Sequence, residues 1–253
     1  MKFINRIKET WKQLFEEISV VEYILWWIFR LMMIYAIIFH PNPEERVMCF
    51  VNMLSLYAMS VIRFIAPKKS FLNRLDFRCQ HIINFFEFFG TFCGNFLNAY
   101  AHVFKYDRVL HFLSGIGAVI AGYYIYKAFA SKDGKLKYCS PGLGAFCGVS
   151  FSFMVIALWE ITEFSGDFLF GTQNQCYYYA PFDNDIIYRI FGHKALEGQL
   201  PLWDTMMDMI DATITTIITG IIMLIVLTLW QKHVKKKEAL KVTKVEDKVA
   251  VTA

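Results

Sequence analysis

Residues Met206–Trp230 read MMDMIDATITTIITGIIMLIVLTLW, and beyond Asp211 this run holds no charged side chain. A hydrocarbon core about 30 Å thick takes roughly 20 helical residues to cross, so the stretch predicts a transmembrane helix with acidic residues at its leading end. Five more runs have the same character: Val21–Phe39, Val47–Ala66, His81–Tyr100, Val109–Phe129 and Gly142–Phe164. The third is interrupted by Asn84 and Glu87, yet Phe85, Phe86, Phe88, Phe89, Phe92 and Phe96 still favour a span. No small-residue cleavage site follows the first run, which therefore reads as a retained helix. The expected fold is an all-α membrane protein: residues 1–20 an interfacial amphipathic helix, 21–230 six transmembrane helices, 231–253 a basic tail.

Composition agrees. Of 253 residues, 56% are apolar, 25 are Phe and only 19% are charged, with mean hydropathy +0.38. A soluble domain is nearer 45–50% apolar, and this excess cannot be hidden in one core. The net charge of +4 is small, and its basic residues sit in short blocks between apolar runs, a pattern of topology and not of nucleic-acid binding. The six cysteines lack CxxC spacing, so neither a disulfide framework nor a thiol zinc site is indicated. No organic cofactor is indicated either.

Lys and Arg counts set the orientation. The N-terminus, the second and fourth connections and the C-terminal tail hold nineteen; the alternate connections hold five, namely Arg46, Lys105, Arg108, Arg189 and Lys194. This alternation places both termini in the cytoplasm of a plasma-membrane protein. Over residues 3–18, Phe3, Ile4, Ile7, Trp11, Leu14, Phe15 and Ile18 form a helical stripe backed by charges. Such a helix lies in the interface or packs on the bundle, and the pattern favours the interface. The Lys-rich tail after Trp230 reads as a disordered anchor.

Ionisable residues inside spans cost roughly 2.5–3.5 kcal/mol each and need partners or a role. Asp107 and His111 are four apart at the start of the fourth helix. Glu160 and Glu163 are three apart at the end of the fifth, and Asp204, Asp208 and Asp211 step along one face at the start of the sixth. In the predicted topology all reach one depth, within about two turns of the outer surface. So many like charges require a bound cation, shared protons or neighbouring bases. For Asp107, Asp204 and Glu163 the plainer reading is a helix end in the headgroup zone, with dipole or capping roles for the two aspartates. The donor set suits Mg2+, Mn2+ or Ca2+ better than a thiol-rich zinc site.

Other polar positions say less. Arg30 and Glu87 share a predicted depth and are expected to form an ion pair between helices. His102, Asn95 and Asn98 are candidates to extend the acidic cluster. The long connection Ser165–Leu202 contains Gly171-Thr172-Gln173-Asn174-Gln175 and three successive tyrosines; such a loop is a lid or binding element, or an interfacial belt.

In order along the chain stand Asp107-Arg108-x-x-His111-Phe112-x-x-Gly115, Trp159-Glu160-x-x-Glu163, Gly171-Thr172-Gln173 and Trp203-Asp204-Thr205-x-x-Asp208-Met209. This series resembles the YjdF-like family of bacterial integral membrane proteins. More distantly it is similar to the VanZ-like group, which shares a D-[KR]-x-x-H-F start. The likeness covers roughly residues 80–230. In the YjdF-like pattern the Gln lies just before Trp-Asp-Thr, whereas here Gln173 and Trp203 are far apart in sequence. The resemblance implies a link to the cell envelope and, for some VanZ-like relatives, to glycopeptide resistance.

The function expected is an outward-facing carboxylate/His site that handles a lipid or lipid-linked phosphate. A divalent cation held by Glu160, Glu163, Asp204 and Asp208 would clamp phosphate oxygens or activate water. His111, oriented by Asp107, would serve as general acid or base. Gln173, Asp211, Arg30 and Glu87 are accessory candidates. The rivals are a proton- or cation-coupled transporter and a non-catalytic scaffold or lipid-binding protein. No Ser, Thr or Cys nucleophile motif lies near the cluster.

Overall fold

The computed structural model describes residues 2–131, 140–170, 175 and 200–252. All its described regular structure is helical. An amphipathic helix α1 (Lys2–Glu17) leads into α2 (Val20–Phe39), and the junction is a capping box: Glu22 N–H donates to Ser19 Oγ at 3.3 Å and Ser19 N–H to Glu22 Oε2 at 2.7 Å. Two orphan donors are thereby satisfied at the start of an otherwise apolar helix. Then come α3 (Pro43–Ser55), α4 (Ala58–Ile65), a 3₁₀ turn (Phe71–Arg74), α5 (Cys79–Phe86), a π-helical segment (Glu87–Phe96) and the short α6 (Ala99–His102). Three long helices complete the chain: α7 (Tyr106–Ala130), α8 (Pro141–Phe170) and α9 (Leu200–Thr252).

Among the described residues, four helices are long and apolar enough to cross a membrane: α2, α7, most of α8, and Pro201–Lys237 of α9. The second expected span is a bent pair, α3 and α4, turning by 49° at a break around residues 56–57, which makes five if the pair counts as one. The expected third span is not among them, because α5 passes at Glu87 into π geometry, as in Leu97 N–H to Phe92 O at 2.9 Å. The tail expected to be disordered continues α9 as helix through Thr252. It has neither Gly nor Pro after Gly220, and its commonest residue is Lys, a good helix former.

The break between α3 and α4 frees backbone groups that hydrocarbon cannot solvate. Side chains take them up: Gln80 accepts from Met59 N–H at 2.9 Å and donates to Ser55 O at 3.0 Å, and Arg30 donates to Leu56 O at 2.9 Å. The expected Arg30–Glu87 ion pair is not formed. Arg30 is drawn instead to the freed carbonyl, with its guanidinium 4.2 Å from the Tyr57 ring centre. Glu87 accepts from Ser55 at 2.8 Å and Thr91 at 3.2 Å.

On the same side, α1 is held by both polar and apolar contacts. Arg6 donates to the last carbonyls of α4, those of Phe64, Arg63 and Ala66, and Arg63 pairs with Glu17 at 2.8 Å. Leu14 and Ile18 join a core with Trp26, Met59 and Phe77, while Ile4, Trp11 and Phe15 stay exposed. The stripe is therefore divided between bundle and surroundings.

Helices α7, α8 and α9 pack through small residues, as membrane helices do where backbones approach closely. A side chain at Gly115 would collide with the Ala212 carbonyl and Thr215 of α9. One at Gly122 would meet Phe151, Gly148 and the Cys147 carbonyl of α8 at 2.6–2.9 Å. Gly220 lies against Val149, and between these crossings the buried hydroxyls of Ser152 and Thr216 stand 2.6 Å apart. These contacts fix the three helices in register, which sets the site described next.

Candidate metal site

The first two turns of α7 present Asp107 and His111 on one face because they are four residues apart. From α8 come Glu160 and Glu163; from α9 come Asp204 and Asp208. His111 stands at the centre. Its Nε2 lies 3.6 Å from Asp107 Oδ1 and 3.8 Å from Asp208 Oδ2, and its Nδ1 lies 3.8 Å from Glu160 Oε1. Two overlapping triads result, Asp107/His111/Asp208 and His111/Glu160/Glu163, each with ligand atoms within 4.8 Å of one another. Asp204 is buried and in electrostatic reach of Glu160 and Asp208.

These separations exceed the roughly 2.7–3.2 Å of a hydrogen bond. Ligand atoms about 2.1 Å from one ion stand about 3.0 Å apart at right angles and about 4.2 Å apart when opposed. Gaps of 3.6–3.8 Å fall between those limits. Burial sharpens the point. Asp208 is 1% exposed and Glu160 6%; neither Asp208 oxygen accepts a hydrogen bond, and Glu160 has the Thr205 hydroxyl beside it but no cation. Two such groups cost about 5–7 kcal/mol together at roughly 2.5–3.5 kcal/mol each, comparable with the whole stability of a typical domain. The donor set is one imidazole and several carboxylates with no thiol, and it fits a hard or borderline divalent cation.

The other expected residues fall differently. Asp211 leaves the cluster: Arg108 donates to it through Nε at 2.6 Å and Nη2 at 2.9 Å, a bidentate pair. Glu163 accepts from Trp159 Nε1 at 2.6 Å. Arg30 and Glu87 belong to the α3–α4 break. His102 contacts Asn98 at 3.5 Å on an exposed turn. Gln173 and most of the long loop lie outside the described residues. Gln175 is described: it is buried and donates to Thr205 Oγ1 at 2.8 Å, beside Asp204.

Arg108 thus ties α7 to α9 through Asp211, a contact that charge counting misses because it treats Arg108 only as a loop base. The sequence did carry a signal: among so many acids, Arg108 adjoins Asp107 directly. Tyr100 was missed too. Its ring lies against Gly94 of the π segment, within electrostatic reach of Asp107, Glu163 and Asp208, and nothing in spacing marked it. Likewise Tyr106 donates to Phe89 O at 2.8 Å, bracing the start of α7 on the π segment.

Over residues 22–230 the chain matches the family described as "Predicted membrane protein (DUF2238)", and it belongs to that family. No curated protein and no solved structure matches the chain. The family match extends beyond the roughly 80–230 over which the YjdF-like resemblance was drawn, and so includes the first two predicted spans.

Proposed function

We propose that this member of the DUF2238 membrane family is a plasma-membrane protein of the cell envelope that binds a divalent cation at the His111 cluster and handles a lipid or lipid-linked phosphate there. In this reading the chain crosses six times with both termini inside, the bent pair and the α5–π segment included, α1 rests in the inner interface, and the cluster faces outward. The Lys and Arg alternation supports the orientation. The YjdF-like and VanZ-like motifs that support an envelope role are made of these same residues.

One observation carries the reading: two buried carboxylates, Glu160 and the wholly unpartnered Asp208, on opposite sides of the His111 ring. A cation compensates them, and a bound cation supplies the charge that a phosphate ester requires. At the outer leaflet the site would meet a lipid headgroup at its own depth. Glu163, a less enclosed acid of the cluster, would orient water or take a proton.

The test is thermal unfolding of the detergent-purified chain with Mg2+, Mn2+ or Ca2+. At about 100 times its Kd a cation stabilises by roughly 2.7 kcal/mol. Stabilisation in wild type that is lost in Asp208→Asn at near-saturating cation supports the site. Absence of any cation effect on a well-folded wild type refutes it.

A second reading, cation- or proton-coupled transport, is favoured by one observation, the 49° break between α3 and α4. Transporters place ion sites at broken helices near the midplane. Against it, the groups at this break are engaged with one another, and the acids without hydrogen-bond partners lie elsewhere, in the α7–α8–α9 cluster.

A further inference from the structure

A single imidazole separates the two triads, and this limits how an ion can sit. A neutral imidazole offers one lone pair for a metal, while its other nitrogen carries the hydrogen. Metal-bound histidines nearly always donate that second N–H to a carboxylate or carbonyl, which fixes the ring. His111 has carboxylates on both sides, so one side supplies ligands and the other the orienting acceptor.

Three features distinguish the sides. Facing Nε2 are two carboxylates on different helices, Asp107 at 3.6 Å and Asp208 at 3.8 Å. Asp208 is fully enclosed with both oxygens unpartnered, whereas the Asp107 side chain is 32% exposed and opens that side to solvent. Facing Nδ1 is Glu160 at 3.8 Å, and its triad partner Glu163 is already held by Trp159 at 2.6 Å. The Nε2 side therefore offers two carboxylates and a way in. The Nδ1 side offers Glu163, with one oxygen already taken by Trp159, and the enclosed Glu160, which suits an orienting acceptor.

Resting on the cation reading above, we infer that the ion sits on the Nε2 side, ligated by Asp107, His111 and Asp208, and that Glu160 is a positioning residue accepting the His111 Nδ1–H. Water completes the shell of an ion with one nitrogen and two carboxylate ligands, as suits Mn2+ or Mg2+. The assignment removes Glu160, Glu163 and Asp204 from the ligand set expected from sequence and moves Asp107 and His111 into it. One ion per chain is required.

The experiment is Mn2+ titration of purified full-length protein, followed by loss of the free-ion paramagnetic resonance signal, with Co2+ absorption spectra as a second readout. Wild type is expected to bind one Mn2+. Asp208→Asn and Asp107→Asn should lose binding or shift the Co2+ spectrum; Asp107 is the less enclosed, which protects the test if Asp208→Asn fails to fold. Glu160→Gln keeps an acceptor oxygen and should bind one ion with an unchanged spectrum and an affinity loss below tenfold. Glu160→Leu should lose about 10–100-fold, the range for outer-shell partners, again at one ion per chain. Loss of binding in Glu160→Gln with retention in Asp208→Asn overturns the assignment, as do two ions in wild type. In both cases the cation site itself survives. Absence of binding by any cation removes the cation reading along with the assignment.

Discussion

Arg108 and Asp211 provide the sharpest energetic test of the helical frame. Their bidentate contacts of 2.6 and 2.9 Å join α7 to α9, and the side chains are only 17% and 15% exposed. Removing one partner strands a largely desolvated charge, a loss of about 3–5 kcal/mol for a buried pair; residual exposure puts this pair at the lower end, about 3 kcal/mol. Removing both strands nothing. In Arg108→Gln and Asp211→Asn each single variant should lose about 3 kcal/mol, and the double variant should lose little more than either single one. A coupling of about 2–3 kcal/mol is the expected result. The measurement is reversible unfolding in mixed micelles, titrated with a denaturing detergent, for wild type, both singles and the double. Single-variant losses that add to within about 0.5 kcal/mol, the behaviour of independent sites, would show that the two side chains do not meet. Arg108 would then be only the peripheral base that charge counting makes it.

Gly122→Val should destabilise by about 1–3 kcal/mol through overpacking against Gly148 and the Cys147 carbonyl, whereas Gly142→Ala, with nothing within 4 Å, should be close to neutral in the same assay. Gln80→Leu leaves Met59 N–H and Ser55 O without their partner at the α3–α4 break and should lose about 2–6 kcal/mol at roughly 1–3 kcal/mol per group; an unchanged unfolding midpoint would mean that the break is satisfied otherwise. Cys79, outside the spans, has its thiol pushed up to about 12, first by burial and then by Asp76 and Glu17. At pH 8 its thiolate fraction is about three orders of magnitude below that of an ordinary thiol, so maleimide should modify it far more slowly in the folded protein than after unfolding. Its labelling in the folded protein should rise about tenfold per pH unit.

Much of the site was legible because helical periodicity is a strict ruler. Asp107 with His111, and Asp204 with Asp208, had to share faces, and three helix ends at one depth had to converge. Asp211 shows where the ruler stops. It shares the face of Asp204 and Asp208, and only the packing of α7 on α9 reveals that it meets Arg108. The Arg30–Glu87 expectation failed for a related reason. Depth served as the coordinate, but the 49° break created a carbonyl acceptor that apolar patterning does not announce. The π geometry of Glu87–Phe96 was hidden in the same way, since π and α turns use the same residue types. The long α9 tail was misjudged because charge was taken as a sign of disorder, although its residue types favour helix.

Helix α9 carries a mechanical consequence. It runs unbroken from Leu200 to Thr252, about 80 Å at 1.5 Å per residue, with Asp204 and Asp208 near one end and the Lys-rich stretch at the other. From Gly220, where it bears on Val149 of α8, to its last turn is about 48 Å. A tilt of one degree about that bearing swings the far end by about 0.8 Å and moves the acid end by about 0.3 Å in the opposite sense. The helix is a lever with unequal arms, so a small adjustment of the acids around His111 would be magnified two- to threefold at the opposite end of the molecule.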